Sequence, residues 1–237
     1  MREMNDFPKL LNAGADALIV CFSESISERD NQQVIALQQS LAESDLPIFD
    51  LVPAYSSLMV YYDVTRITEQ PLREALQPYI ADSQLTKGQE QGQLHTIDVY
   101  YGDEVGPDLT RVMERHELSQ EEVVRQHTES PFRVYALGFA PGFAYMGTLP
   151  EPLVMPRLER PRERIPAGSV AIAEQQTSIY PLQSPGGWNI IGRTAQSLYQ
   201  PQNGIISSLN VGDSVQFRAI SKQQFVDSGG DLEGFDD

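Results

Sequence analysis

The chain has 237 residues, and apolar residues make up 41% of it, which is enough for a substantial core and excludes wholesale disorder. It carries 33 acidic against 17 basic residues, a formal charge of −16. A field of that sign repels phosphate backbones and anionic lipid surfaces, which argues against nucleic acid and membrane partners. The one cysteine, Cys21, cannot pair within the chain. Together with an opening stretch, MREMNDFPKLLNAGADALIVCF, that lacks the plan of a secretory leader, this usage leads us to expect a cytoplasmic location.

The first ninety or so residues alternate strand and helix signals. ALIVCF at 17–22 is a short apolar run that reads as a strand. Ser25 and Glu28 have capping-box spacing ahead of a helix whose Val34, Leu37 and Leu41 share a face. IFDLV at 48–52 and SLMVYYDV at 57–64 read as strands. Pro71 opens a second helix with Leu72, Ala75, Leu76 and Tyr79 at helical spacing, and the polar stretch 81–93 reads as a loop. LHTIDVYY then supplies a further strand. The order β-α-β-β-α-β predicts an α+β domain of the ferredoxin-like split βαβ type over residues 1–93.

Two short helices follow, one opened by Gly106-Pro107-Asp108 and one by a capping box of Ser119 and Glu122. From Pro131 onward Gly and Pro become frequent, and apolar runs shorten: RVYALGF, SVAIA, TSIYPL, WNIIGRT, SVQFRAI. Such strands predict a β-rich barrel or sandwich, with a domain over 94–222 and an acidic, Gly-rich tail, 223–237, expected to be disordered.

Chemistry concentrates in three segments of this second part. In LGFAPGFAYMGTLP, Phe139, Phe143 and Tyr145 can wall a pocket, and Gly142 permits a backbone path that presents N–H groups to an anion. The same loop equally suits ordinary aromatic packing. In PRERIPAGSVAI, Arg162 and Arg164 are rigid donor forks for a carboxylate or phosphate, or else partners in salt bridges, and Ser169 has no neighbouring His or Asp that would make it a nucleophile. In YPLQSPGGWNIIGRT, Gln183 and Arg193 are polar contacts, and Trp188 either packs or lines a pocket. His127, at a helix end, is the best candidate for a general base, with a capping role as the alternative. There is no Walker-type phosphate loop, no HExxH, no cysteine cluster and no GxSxG elbow, and three scattered histidines do not suggest a metal site.

YGDEVGPDL, LGFAPGFAYMG, PRERIPAGSVAIA and IYPLQSPGGWNIIGRT together resemble the signatures of the PxpB/KipI family, also described as allophanate hydrolase subunit 1-like. The likeness runs from about Ala17 to Ile220, and Asp103, Ala144 and Met146 depart from the usual glycine, proline and leucine without removing a polar candidate. The resemblance implies a small α/β domain followed by a cyclophilin-like barrel. It implies a B subunit of ATP-dependent 5-oxoprolinase, a hydrolase opening 5-oxo-L-proline to L-glutamate together with a PxpA (LamB/YcsF-like) and a PxpC (KipA-like) subunit. The isolated chain is then expected to be inactive. ATP belongs to the assembled enzyme with its binding subunit left open, and no metal is expected here. The resemblance also carries a regulatory alternative, a KipI-like inhibitor of a sensor histidine kinase. Under the enzymatic reading His127 serves proton transfer, Arg162 and Arg193 hold anionic groups, and the 138–147 loop contributes the pocket wall, with Phe139, Gly142, Phe143, Tyr145, Ser169, Gln183 and Trp188 around the ligand.

Overall fold

The computed structural model describes residues 7–85 and 92–235. The chain divides into two compact units, with the division at residues 91 and 92.

The first unit comprises β1 (Lys9–Asn12), β2 (Ala17–Cys21), α1 (Glu28–Ala42), β3 (Ile48–Ala54), β4 (Ser57–Tyr62) and α2 (Glu69–Leu85). The sheet order is β1-β2-β4-β3, and every neighbouring pair is antiparallel. Period-two alternation puts Leu18 and Val20 of β2 and Leu58, Val60 and Tyr62 of β4 on one face. There they meet Val34, Leu37 and Leu41 of α1 and Leu72, Leu76 and Ile80 of α2. This is the expected split βαβ plan with one exchange. The strand at 94–99 does not complete this sheet. The four-residue β1, which pairs with β2, takes the edge position instead. Two local readings also shift. The N-cap of α1 is Ser27, whose hydroxyl accepts from the Asp30 amide, rather than Ser25. And α2 runs through the start of the expected loop to Leu85 with Pro78 inside it; the rest of that loop, 86–91, lies outside the described residues.

The second unit contains β5 (Leu94–Val99), α3 (Leu109–His116), α4 (Gln120–Thr128), β6 (Phe132–Leu137), β7 (Ala144–Gly147), β8 (Arg162–Ile165), β9 (Ser169–Ala173), β10 (Gln176–Ile179), β11 (Ser184–Gly186), β12 (Asn189–Arg193), β13 (Ser214–Ala219) and α5 (Lys222–Asp227). Seven strands form one mixed sheet in the order β12-β9-β10-β7-β6-β13-β5. Its ends meet where Tyr100 and Arg193 exchange backbone hydrogen bonds, both 2.9 Å, so the sheet is nearly closed into the barrel that the short strands predict. Val170 and Ile172 of β9, Ile191 of β12, Val134 of β6 and Phe217 of β13 fill the interior with Leu109 and Val112 of α3 and Val123 of α4. The capping box at Ser119 and Glu122 is complete in both directions.

A second apolar layer lies on the other face of β9 and β12. Ala171, Ala173 and Ile190 contact Phe143, Ile165, Tyr180 and Trp188 there, and β8 and β11 form a two-stranded ribbon that brings Ile165 to it. Of the expected tail, 223–237, residues 236 and 237 lie outside the described residues. Phe225 of α5 is fully buried and packs against Tyr100, and residues 231–235 lie along the second unit through bonds to Arg193. The acidic composition of this stretch includes two aromatic anchors, Phe225, which is fully buried, and Phe235, which packs partly buried against the outer layer.

Candidate functional site

The sheet sorts the sequence candidates onto two sides. His127 points into the barrel interior, where it has no solvent exposure. Its ring stacks on Phe217 at 4.5 Å between centroids and also meets Phe132. Nδ1 lies 2.7 Å from the Tyr101 hydroxyl, and Nε2 lies 2.8 Å from Thr177 Oγ1, which is 3.2 Å from the Ala171 carbonyl. One proton arrangement satisfies every member: Tyr101 donates to Nδ1, Nε2–H donates to Thr177, and Thr177 donates to Ala171. Burial lowers the imidazole pKa from 6.5 to about 3 and raises the Tyr101 phenol well above its usual value. The expected general base is thus a neutral, fully bonded core residue. Proton transfer to a ligand needs hydrogen-bond reach, which this position lacks.

Arg162 is also engaged. Its guanidinium donates to both oxygens of Asp108, at 2.8 and 2.9 Å, and Oδ2 of that carboxylate accepts a third bond from the Ile190 amide at 2.7 Å. Asp108 precedes α3 but makes no side-chain cap; its carboxylate is spent on tying β8 to β12. Bidentate pairing of this kind fixes geometry, so Arg162 braces the ribbon. Arg164 is exposed and reaches Gln183 at 3.3 Å, which places Gln183 at the rim.

The remaining candidates come together on the outer layer. Phe143 is the hub: its ring is edge-on to Phe139, Tyr145, Tyr180 and Trp188, at 5.2, 4.9, 5.3 and 5.7 Å. Tyr180 is pushed up to about 12, chiefly by burial, against the lowering effect of a bond from the Trp188 backbone. Gly142 has φ +81°, and a Cβ there would press on the Leu198 and Ile206 carbonyls, so the loop needs glycine at this point. Phe139 has φ +69°, a costly conformation for a bulky residue, yet its side chain is 61% exposed. A strained backbone that holds an aromatic ring in solvent is a feature of contact surfaces rather than of cores.

Arg193 and Ser169 are paired residues on β12 and β9, so their side chains project from the same face, the one that carries the aromatic layer. Arg193 is only 8% exposed. Nε donates to the Ala167 carbonyl at 3.0 Å, and Nη1 donates to the carbonyls of Asp231 and Glu233 at 2.7 and 2.6 Å. Desolvation lowers its pKa, partly offset by the charge of Asp231. The Ser169 hydroxyl is buried and without a hydrogen-bond partner, and so is that of Ser184 on the facing ribbon. Sequence reasoning missed Ser184 as a site residue; its signal is a hydroxyl opposite Ile165, whose side chain enters the layer.

Among the described residues no cluster of three or more His, Cys, Asp or Glu is placed to hold a metal ion, and no helix is long and apolar enough to cross a membrane. A surface hollow of about 340 Å³ in the first unit, beside Phe49, Asp63 and Arg66, contains none of the motif residues. Two of the arginines here are engaged within the chain, Arg162 by the Asp108 carboxylate and Arg193 by backbone carbonyls.

Residues 8–207 match the family described as the carboxyltransferase domain, subdomain C and D. The B subunit of 5-oxoprolinase from Bacillus subtilis is 37% identical over 231 residues, covering 90% of this chain and 92% of that protein. The corresponding protein of Haemophilus influenzae is 36% identical, covering 86% and 94%. TTHA0988, known from its crystal structure, is 37% identical with a TM-score of 0.75 over 86% of this chain; the chain spans only 40% of that longer polypeptide. With a split βαβ unit, a near-closed barrel and matches of this extent, the chain belongs to the family of 5-oxoprolinase B subunits, built on carboxyltransferase subdomains C and D.

Proposed function

We propose that this chain is the B subunit of an ATP-dependent 5-oxoprolinase, converting 5-oxo-L-proline to L-glutamate with PxpA-like (LamB/YcsF-type) and PxpC-like (KipA-type) partners. The observation that carries the reading is identity of 35–37% to the 5-oxoprolinase B subunits of three bacteria, over 86–90% of this chain. The outer layer supports it chemically. Arg193 and Ser169 offer a cation and a hydroxyl for the carboxylate of a cyclic amino acid. Phe143, Tyr145 and Trp188 offer a flat apolar wall for its ring, and Phe139 extends that wall to the surface. His127 and Arg162 act as positioning residues, one inside the barrel and one behind the ribbon. The groups that activate the lactam carbonyl and move its protons come from the partners, since the titratable groups of this layer are the phenols of Tyr145 and Tyr180 and an enclosed guanidinium.

The test is 5-oxoproline-dependent release of ADP and glutamate by the purified chain alone, with each partner, and with both. Activity in the full mixture only, reduced at least about tenfold by Arg193→Gln in a folded chain, is the expected result. Absence of turnover in a verified three-component assembly would overturn the reading and make titration against a sensor histidine kinase the next measurement.

A further inference from the structure

Arg193 is an unusual buried cation. Guanidinium groups withdrawn from water are ordinarily neutralised by a carboxylate or phosphate. Here the described residues supply backbone carbonyls in its place, from Ala167, Asp231 and Glu233. Carbonyls satisfy the N–H bonds but bring no formal charge. The Asp231 carboxylate lies near enough for its charge to act on the guanidinium, but it accepts the Glu233 amide at 2.9 Å rather than an N–H of Arg193. On the same sheet face, at the position paired with Arg193, the Ser169 hydroxyl is buried with no partner. A buried cation with no carboxylate bonded to it among the described residues, and a hydroxyl without a bond on the same sheet face, have the chemistry of a carboxylate site.

The segment that supplies two of those carbonyls has the character of a ligand. Its oxygens meet Arg193 Nη1 as a close pair, Gly234 lies so near Pro166 that a Cβ would come to 2.8 Å of the ring, and Phe235 packs against the aromatic layer. Residues 231–235 thus combine paired oxygens on the guanidinium with a flat ring on the wall. The segment is moored upstream, where Phe225 is buried and Lys222 reaches Glu104 at 2.6 Å, so it can leave the layer without α5 detaching. It also lies beyond residue 207, where the family match ends.

We propose that residues 231–235 are a built-in occupant of a carboxylate site centred on Arg193 and Ser169, and that a small carboxylic acid with a planar or cyclic body competes with this strap for the guanidinium. The proposal rests on the reading of the outer layer as the substrate site and adds its regulation. A site covered for nine-tenths of the time binds about tenfold more weakly than an open one. Strap release, by a partner or by the ligand, would therefore set the apparent affinity.

The test compares the full chain, the full-length variant Phe235→Ala and a variant stopped after Ser228. Each is titrated with 5-oxo-L-proline and with benzoate, followed by emission of Trp188, the one tryptophan, and by calorimetry. Both opened variants are expected to bind at least about tenfold more tightly than the full chain, and Arg193→Gln in the Phe235→Ala background is expected to abolish the gain. Phe235→Ala carries the test alone if the shortened chain does not fold. A gain for benzoate without one for 5-oxoproline would keep the strap and remove the 5-oxoprolinase reading of the layer. Equal affinities in the full chain and opened variants, a gain that survives loss of Arg193, or no detectable binding of either probe to an opened variant would overturn the proposal.

Discussion

The two faces of the barrel wall treat buried polar groups in opposite ways. Inside, Tyr101, His127, Thr177 and the Ala171 carbonyl form a closed chain in which each donor has an acceptor and no member is charged. Outside, Arg193 keeps its charge among carbonyls, and two serine hydroxyls bond to nothing. A satisfied network rigidifies a core, whereas an unsatisfied one is a cost that a ligand can remove. The difference teaches where to look for chemistry in this fold. A histidine in mid-barrel is conspicuous in sequence, but the unmet bonding capacity lies on the opposite side of the same strands.

Breaking the inner network should cost most. His127→Ala leaves a cavity beside Phe217 and strips Tyr101 and Thr177 of their partner, so unfolding by urea should show a loss of about 4 kcal/mol. The same residue sets a pH dependence. Its folded pKa, about 3, lies below the unfolded 6.5, so the unfolded chain binds the extra proton between those values. Stability from this group is full above pH 6.5 and falls as the pH drops toward 3. Between pH 6.5 and 4 the loss should reach about 3 kcal/mol. Urea midpoints across this range should fall more steeply for the unaltered chain than for His127→Gln.

Asp108→Asn sharpens the comparison at the border between the two faces. It weakens the pair with Arg162, a side chain that is 28% exposed, while sparing most of the volume, and a loss of about 2 kcal/mol is expected from denaturant unfolding. The smallest effect should come from Ser119→Ala, which removes one cap from the exposed start of α4 and no member of either network, for about 1 kcal/mol in the same measurement.

Most strands were legible because alternation is local. SVAIA, WNIIGRT and SVQFRAI all became strands of the barrel, and the complete Ser119 box needed only four residues of context. What escaped was pairing. KLLN at 9–12 carries no signal beyond two leucines, yet it takes the sheet edge that the run at 94–99 was expected to fill. The same limit applied to the site. Arg162 and Arg193 stood out as donors, but the carboxylate that holds one is 54 residues away, and the carbonyls that hold the other are 26, 38 and 40 away. Thr177, a polar residue at a buried position of β10, marks the inner network for anyone reading the strand by its phase.

Arg193 is also where the hoop of strands is fastened. Its backbone exchanges both hydrogen bonds with Tyr100, while its side chain grips the strap. Six of the joints between neighbouring strands are ladders, whereas this one is a single clasp. One residue therefore serves as latch for the barrel and latch for its cover. A partner that pulls the strap thus pulls on the residue that closes the wall.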